Sequence, residues 1–363
     1  MRTRLFHTEE DYKKLGLKRD VTELWEDGRR NTGKPGTWEL WYFDAIMDDG
    51  TKLGMIFYDK HVGNIERDVT PCCSINITLP DGSLYTDQFE YSAEEGKYDN
   101  DRCNVVIGPH SFVGDLKNYE IEIKPIHGIG AKIKMESLSS PWRAETSHIG
   151  FGEHDENFMA WFCVVPRGKV EGEIMVNGKT IPVSGFGYHD HQWGNLHVML
   201  TNNHWIWIRQ SVNDHVVLVY DFVAAKNYGY ERYPLFFIQD GKGNLLFQNT
   251  SSENVKMEIL EEYDQKDTGK TCPKKFRYTF EKEGKKAVYT ITNLREIEVI
   301  DNYKTLDSQS KKFFDGLGLK PSYVRWEAIG ELEFHDGNTW VNGKSNLIYE
   351  MMYNATEYRK FVE

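Results

Sequence analysis

The 363-residue sequence lacks the features that mark several large classes of protein. It has no basic excess, because 44 Lys and Arg stand against 56 Asp and Glu, which gives a net charge of −12. Nucleic-acid binders neutralise phosphates with a basic surface, so we expect no nucleic-acid partner. The same charge disfavours docking to anionic lipid headgroups. The longest stretch without Asp, Glu, Lys or Arg, residues 191–208, is too polar for a lipid core, so we expect no stable membrane insertion.

Other absences concern location and cofactors. No signal peptide is visible, because acidic residues at positions 9–11 come before any apolar segment. The five cysteines are an odd number and form no CxxC motif, which favours free thiols in a reducing compartment. We therefore expect a cytoplasmic protein. The sequence has no P-loop and no Rossmann glycine fingerprint, so no cofactor is predicted, and it lacks the Gly-x-Ser-x-Gly motif of a serine nucleophile.

What the sequence does contain is a series of short alternating segments separated by turn residues, which predicts β-hairpins. The six predicted hairpins pair residues 38–47 with 52–60, 73–79 with 83–91, 171–176 with 179–183, 204–212 with 215–224, 276–281 with 287–294, and 329–335 with 339–341. This pattern predicts an antiparallel all-β architecture, either barrel or sandwich. Few helices are expected: Thr8 begins a capping box, and residues 307–316 form an amphipathic helix that buries Phe313 and Phe314.

The length predicts two domains, since one hydrophobic core rarely serves so many residues. Both halves of the chain are hairpin meanders of similar size. Between them lies the segment Gly185–Asn195, which is rich in glycine and has few charged residues. We place the boundary in this segment and predict an N-terminal domain over residues 1–190 and a C-terminal domain over residues 191–363. Two packed β-domains would offer a ligand either a cleft or two barrel mouths.

The strongest site pattern is the segment Gly185–Gly194, with the sequence GFGYHDHQWG. If it is extended, His189 and His191 point to one face, and Tyr188 with Asp190 to the other. The polar residues could form a buried hydrogen-bond network at a domain junction. They could also bind a metal, but the histidines have no Cys or Glu at ligand spacing, so we predict none. We favour acid–base catalysis, in which Asp190 donates a proton or orients a neighbouring histidine.

Two aromatic segments supply candidate binding residues. Alternation in Trp38–Asp44 places Tyr42 and Asp44 on one face and Trp41 on the other, and most of these residues suit a core strand. Asp44 among aromatic rings could have a pKa raised by desolvation and so donate a proton. The same holds for Glu327 and Glu350, and the sequence does not decide among these carboxyls.

In the second segment, Trp205, Trp207 and Arg209 alternate along a predicted strand. An aromatic row with one arginine suits an apolar ligand with one polar end, and it equally suits a cation–π stack in a core. The predicted substrate-binding residues are Trp41, Tyr42, Asp44, Trp193, Trp205, Trp207 and Arg209.

Three motifs together resemble the hydroxyneurosporene synthase (carotenoid 1,2-hydratase) and AttH-like superfamily of lipocalin-like proteins. They are Trp38–Asp44, the spaced residues Asn104, Gly108, Phe112 and Tyr119, and the segment Gly185–Gly194. In the last motif, Gln192 stands where the family more often has Asn. The resemblance runs from about residue 35 to residue 353. It implies two consecutive lipocalin-like β-domains and apolar, polyunsaturated or isoprenoid-like substrates; members include carotenoid hydratases and related Diels–Alder cyclases.

These observations predict a cofactor-independent enzyme for a hydrophobic unsaturated small molecule. Acid-assisted hydration or isomerisation of a C=C bond is the favoured reaction, in which Trp and Tyr faces stabilise a cation and a histidine holds a water. A Diels–Alder-type cyclase of a polyene is one alternative, since such an enzyme mainly folds its substrate into a reactive shape. A non-catalytic lipid or terpenoid carrier is another. The sequence indicates neither the substrate nor the oligomeric state.

Overall fold

Two antiparallel β-sheets make up most of the computed structural model, which describes residues 1–355. Strands account for 59% of the structure, and the four α-helices of the described residues are short, so the predicted all-β fold is confirmed. The first unit is Arg4–His197, and the second contains Met1–Thr3 with the described residues from Val198 onward. Residues 356–363 of the predicted C-terminal domain lie outside the described residues.

The first unit is built on a 13-stranded sheet in which the two most distinctive sequence motifs are neighbours. Its main path runs β5-β4-β3-β2-β13-β12-β10-β9-β8-β7-β6, with β1 and β11 paired off this path. These strands are β1 (Thr3–Leu5), β2 (Trp38–Met47), β3 (Lys52–Tyr58), β4 (Cys72–Thr78), β5 (Leu84–Glu90), β6 (Gly96–Tyr98), β7 (Asn104–Ile107), β8 (His110–Gly114), β9 (Asn118–Ile123), β10 (Ile129–Ser137), β11 (His148–Phe151), β12 (Asn157–Val176) and β13 (Lys179–Gly194).

The second unit is a nine-stranded sheet with the order β17-β16-β15-β14-β22-β21-β20-β19-β18. Its strands are β14 (Asn202–Val212), β15 (His215–Ala224), β16 (Arg232–Gln239), β17 (Leu245–Asn249), β18 (Val255–Asp264), β19 (Thr271–Lys282), β20 (Lys285–Ile300), β21 (Leu319–His335) and β22 (Trp340–Ala355). The α-helices of the described chain are α1 (Glu9–Leu15), α2 (Val198–Thr201), α3 (Asn302–Thr305) and α4 (Ser308–Gly316). None of these helices is long and apolar enough to cross a membrane.

All six predicted hairpins are present as adjacent antiparallel strands. Thr8 caps α1 with the predicted capping box, and Asp307 caps α4. The prediction that α4 buries both phenylalanines is wrong for one of them: Phe314 is buried, but Phe313 is 56% exposed. Successive residues of a helix point about 100° apart, so two neighbours rarely share one buried face.

The segment Gly185–Gly194 is the second half of β13, an extended strand inside the first unit, and not a linker between units. Its glycines permit close strand approach. A Cβ at Gly185 would lie 2.4 Å from the carbonyl oxygen of Ile46, and one at Gly187 would lie 2.7 Å from a Val170 methyl group. The glycines therefore allow β13 to pack closely against β2 and β12.

Candidate active site

The pairing of β2 with β13 brings the two sequence motifs into one place. Tyr42 lies opposite Asp190 in the ladder, and Asp44 lies opposite Tyr188. Because side chains alternate along both strands, these four residues share one face, which we call the outer face. The opposite, inner face points into the hydrophobic core of the first unit and carries His189 among other residues.

On the outer face, Asp190 accepts three hydrogen bonds. The Tyr188 hydroxyl donates to Oδ2 at 2.8 Å, Trp161 Nε1 donates to the same oxygen at 3.0 Å, and Gln192 Nε2 donates to Oδ1 at 3.0 Å. Burial raises the pKa of the Asp190 carboxyl above its usual range, although the three hydrogen bonds act in the opposite direction. A carboxyl that retains its proton more strongly than usual is suited to act as an acid.

Tyr42 and Asp44 form a second pair beside the first. The Tyr42 hydroxyl donates to Asp44 Oδ2 at 3.1 Å, and the rings of Tyr42 and Tyr188 meet edge to face at 6.3 Å. Both tyrosines thus donate to the aspartate two residues later on their own strand, and the strands run antiparallel. Tyr188 and Asp190 are buried, while Tyr42 and Asp44 retain part of their exposure. The outer face therefore holds two carboxyls and two phenols in one cluster.

On the inner face, His189 contacts an aspartate from a distant loop. Its Nδ1 lies 2.8 Å from the Tyr42 carbonyl oxygen, and its Nε2 lies 3.2 Å from Asp27 Oδ2. Asp27 ends a 3₁₀ turn over residues 24–27, and it also accepts a hydrogen bond from the Tyr119 hydroxyl at 2.7 Å. His189, Asp27 and Tyr119 are all buried.

His191 has its own carboxylate partner on the inner face. Its Nε2 lies 2.8 Å from Glu39 Oε1, and the Glu39 carboxylate also accepts from the backbone amides of Arg30 and Asn31 at 2.6 and 2.8 Å. The rings of Trp41 and Trp193 pack against His191, with centroids at 4.6 and 4.8 Å. Glu39 thus ties the loop after Asp27 to the centre of the sheet.

Eight predicted site residues come together in the first unit, and they divide between the two faces of the β2–β13 pair. Trp41, His189, His191 and Trp193 lie on the inner face, and Tyr42, Asp44, Tyr188 and Asp190 lie on the outer face. The interpretation in which Asp190 orients a neighbouring histidine is not what the structure shows. The hydrogen bonds to Asp190 come from Tyr188, Trp161 and Gln192, and the histidines contact Asp27 and Glu39.

The other three predicted residues lie on β14 of the second unit. Trp205, Trp207 and Arg209 are partly exposed, while Ile206 and Ile208 between them are fully buried in the core of that unit. The Arg209 guanidinium lies 5.9 Å from the Trp207 ring centroid, so an arginine–tryptophan contact is present as one interpretation predicts.

The alternative proton donors of the second unit are in ion pairs. Glu327 lies 2.6 Å from Arg295 Nε, and Glu350 lies 2.9 Å from Arg325 Nη2. The sequence pattern suggests carboxyls isolated among aromatic rings, but each of these has an arginine beside it. Asp190 has no arginine or lysine among its hydrogen-bond partners in residues 1–355.

Four buried residues of the site were not predicted: Asp27, Glu39, Cys103 and Trp161. Alternation does place Glu39 on the same face as Trp41 and Phe43, so a carboxylate on a core face could have indicated a buried partner. Asp27 comes from a short 3₁₀ turn and Cys103 from the link before β7, where spacing carries no information about what they contact.

Comparisons with known proteins give this site a context. A family model described as Diels-Alderase-like matches residues 123–287. The chain is 25% identical over 223 residues to the quinolone epoxide rearrangement protein penF of Penicillium thymicola, which covers 56% of this chain and 60% of penF. It is 26% identical over 189 residues to the Diels-Alderase ucsH of an Acremonium species, which covers 45% of each chain. The matches therefore span less than two thirds of both relatives.

Solved structures share the fold over nearly the whole chain. An AttH protein from Nitrosomonas europaea has a TM-score of 0.58 at 16% identity, covering 90% of this chain and 95% of its own. CghA with Sch210972 has a TM-score of 0.63 at 12% identity, with coverage of 94% and 98%. Kievitone hydratase from Nectria haematococca has a TM-score of 0.55 at 13% identity, with coverage of 92% and 93%. The family match confirms the resemblance of this chain to Diels-Alderase-like proteins, and the solved structures show that it shares the fold of AttH, CghA and kievitone hydratase.

Proposed function

We propose that this chain is a cofactor-independent enzyme that isomerises or cyclises a hydrophobic unsaturated small molecule, with Asp190 as its proton donor. The observation that carries the proposal is the outer-face cluster, in which a buried carboxyl of raised pKa lies beside the phenol of Tyr188. A carrier needs an apolar cavity but has no use for a buried acid. The cluster therefore favours an enzyme over a carrier.

The chemistry follows from the protonation state of Asp190. A neutral carboxyl in a site of low dielectric can donate to a carbonyl or epoxide oxygen, or protonate an alkene carbon. In an isomerisation or cyclisation the proton is lent at the start and returned to the carboxylate at the end, so the product has the composition of the substrate. Tyr188 and Trp161 stabilise the carboxylate in between, because both donate to its Oδ2.

The relatives favour a reaction within one molecule. One curated relative is named for an epoxide rearrangement and another as a Diels-Alderase. Both names describe a reorganisation of bonds. A hydrogen-bond donor at a substrate oxygen can promote either reaction. The same outer-face acid serves both reactions, because it polarises a carbonyl for cycloaddition and opens an epoxide.

Hydration of a C=C bond is the second candidate, since kievitone hydratase shares the fold. In that reaction Asp190 would give its proton to one alkene carbon, and the oxygen of a water would bond to the resulting cation. A proton of that water would then return to Asp190. We also propose that the substrate of such a hydration is an isoprenoid or terpenoid compound.

For binding, we propose Tyr42 and Asp44 beside the acid; a binding role for Trp205, Trp207 and Arg209 on β14 of the second unit stays a prediction from the sequence. We do not propose Trp41 and Trp193 as substrate-binding residues, because both are buried in the core of the first unit against His191.

We also propose a cytoplasmic location, which the five unpaired, buried cysteines support.

Three probes in ¹⁸O-labelled water test the proposal: a quinolone epoxide, a linear polyene with a tethered dienophile, and kievitone. We expect a product of unchanged mass from one of the first two. A product of kievitone that contains ¹⁸O from the labelled water supports hydration instead.

Asp190→Asn should lower the rate about 10²–10⁴-fold with an unchanged melting temperature. Full activity per folded molecule in this variant contradicts the assignment of Asp190, and binding of all three probes without turnover contradicts an enzyme.

A further inference from the structure

A second group of side chains, on the inner face of β13, has the composition of a metal site. Asp27, Cys103 and His189 each offer one ligand atom, and these atoms lie within 4.8 Å of one another. All three residues are almost completely buried. From the sequence alone no metal is predicted, because His189 and His191 have no Cys or Glu at ligand spacing. The fold removes that reason, since it brings a Cys and a carboxylate from distant segments.

The hydrogen bonds of His189 leave a lone pair facing a carboxylate. Its Nδ1 lies 2.8 Å from the Tyr42 carbonyl oxygen, which only accepts, so Nδ1 carries the hydrogen. A neutral imidazole then presents a lone pair at Nε2, 3.2 Å from Asp27 Oδ2. That oxygen is an acceptor too and already receives the Tyr119 hydroxyl. Two acceptors at this distance require a positive species between them, either a proton or a metal ion.

His191 repeats the arrangement on the other carboxylate oxygen. Its Nε2 donates to Glu39 at 2.8 Å, which leaves a lone pair at Nδ1, 3.6 Å from Asp27 Oδ1. Within residues 1–355, neither His191 Nδ1 nor Asp27 Oδ1 has a hydrogen-bond partner, and both atoms are buried. The carboxylate of Asp27 therefore lies between two imidazole nitrogens, and an unpaired buried polar atom on each side of the His191–Asp27 contact is costly.

We propose that this group binds one divalent cation of the zinc type, with Asp27, Cys103 and His189 as ligands and His191 Nδ1 as the fourth. Carboxylate, thiolate and imidazole in a tetrahedral set are the ligands that zinc prefers. Zinc bonds of about 2.0–2.3 Å require the ligand atoms of Asp27, Cys103 and His189, which now lie within 4.8 Å of one another, and His191 Nδ1, 3.6 Å from Asp27 Oδ1, to move closer together around the ion.

The outer partners of the histidines match those of known zinc sites. A metal-bound histidine donates its second ring N–H to a carbonyl or a carboxylate, which fixes its orientation. His189 donates to the Tyr42 carbonyl, and His191 donates to Glu39. With four protein ligands the site is closed, and it lies on the opposite face of β13 from Asp190. The cation is therefore structural, and the inference does not depend on the proposed reaction.

The test uses full-length protein without an affinity tag, produced in zinc-supplemented medium. Elemental analysis should find about one zinc per chain after gel filtration. After removal of zinc with a chelator, titration with Co²⁺ should give a thiolate-to-cobalt charge-transfer band. Cys103→Ser should abolish the band, and Cys272→Ser, which removes an equally buried thiol in the second unit, should retain it.

X-ray absorption of the zinc-loaded wild-type protein gives an answer that needs no variant, with one sulfur and three nitrogen or oxygen ligands expected. Zinc well below one equivalent overturns the proposal, as does a cobalt band that persists in Cys103→Ser, or a zinc shell without sulfur. In each of these cases a proton, as an imidazolium–Asp27 pair, takes the place that we assign to the metal.

Discussion

His189 and Asp190 are adjacent in the chain, yet their side chains lie on opposite faces of β13 and belong to separate hydrogen-bond networks. His189 Nε2 lies 3.2 Å from Asp27, and Asp190 Oδ2 accepts from Tyr188 at 2.8 Å. The core network and the outer-face acid can therefore be changed independently by mutation.

Asp44 should matter for turnover although it is less buried than Asp190. It accepts the Tyr42 hydroxyl at 3.1 Å on the outer face, so Asp44→Asn changes the hydrogen bonding next to the acid. We expect turnover to fall at least about tenfold, with little change in melting temperature. Asp48→Asn is the matched control, because Asp48 accepts the Ser184 hydroxyl at 2.6 Å at an exposed position just after β2. Equal rates for the two variants would contradict a role for Asp44.

Titration of Asp59 should make the free energy of unfolding depend on pH. The pKa of Asp59 is raised from 3.8 to about 7. Burial is the largest cause and the negative charge of Glu39 is the second, while the positive charges of Lys60 and Arg29 act in the opposite direction. Between about pH 4 and pH 7 the folded protein keeps this proton while the unfolded chain loses it. The free energy of unfolding should therefore fall as the pH rises through this window, by up to roughly 4 kcal/mol.

Asp59→Asn removes this titration, and its amide oxygen can still accept the Glu39 backbone N–H that Asp59 Oδ1 accepts at 2.9 Å. Urea unfolding at pH 4.5 and pH 8 should show that wild-type protein loses more stability between these values than the variant does. Asp48→Asn, an exposed substitution, should keep the wild-type slope. Parallel slopes for Asp59→Asn and wild-type protein would show that Asp59 is ionised in the folded state throughout.

In the second unit, a buried ion pair should be a major contributor to stability. Asp221 accepts from Arg232 at 2.9 and 2.7 Å and from the Tyr278 hydroxyl at 2.8 Å. Asp221→Asn removes the carboxylate charge beside this buried guanidinium, so we expect a loss of about 3–5 kcal/mol in the free energy of unfolding.

Glu327→Gln is the control for this change, since Glu327 pairs with the largely exposed Arg295 at 2.6 Å. Such surface pairs contribute less than about 1 kcal/mol. Chemical denaturation of both variants gives the comparison. Losses of similar size would mean that Arg232 finds water or another acceptor when Asp221 is changed.

Much of the fold was predictable because it depends on local patterns. Asp-Gly and Asn-Gly turns between alternating segments identify hairpins from nearby residues alone. The same alternation correctly separates Tyr188 and Asp190 from His189 and His191, because a strand places successive side chains on opposite faces. The pairing of β2 with β13 is not local, and no residue in either motif specifies it.

The partners of the site residues were harder to predict for the same reason. Asp27 reaches His189 from a 3₁₀ turn 162 residues away in the chain, and Cys103 comes from a short link before β7. No periodicity applies to such segments. The glycines at 185 and 187 do not mark a boundary between domains, because glycine also serves the close packing of neighbouring strands.

The most direct test of the central claim compares two tyrosines that donate to buried aspartates on opposite faces of one sheet. Tyr188 donates to Asp190 at 2.8 Å on the outer face, and Tyr119 donates to Asp27 at 2.7 Å on the inner face. The measurement is kcat/KM per folded molecule for Tyr188→Phe and Tyr119→Phe, with the probe that the wild-type protein turns over. We predict that Tyr188→Phe loses at least about tenfold and that Tyr119→Phe keeps the wild-type value. Equal values for the two variants, or a loss confined to Tyr119→Phe, would contradict the assignment of the chemistry to the outer face.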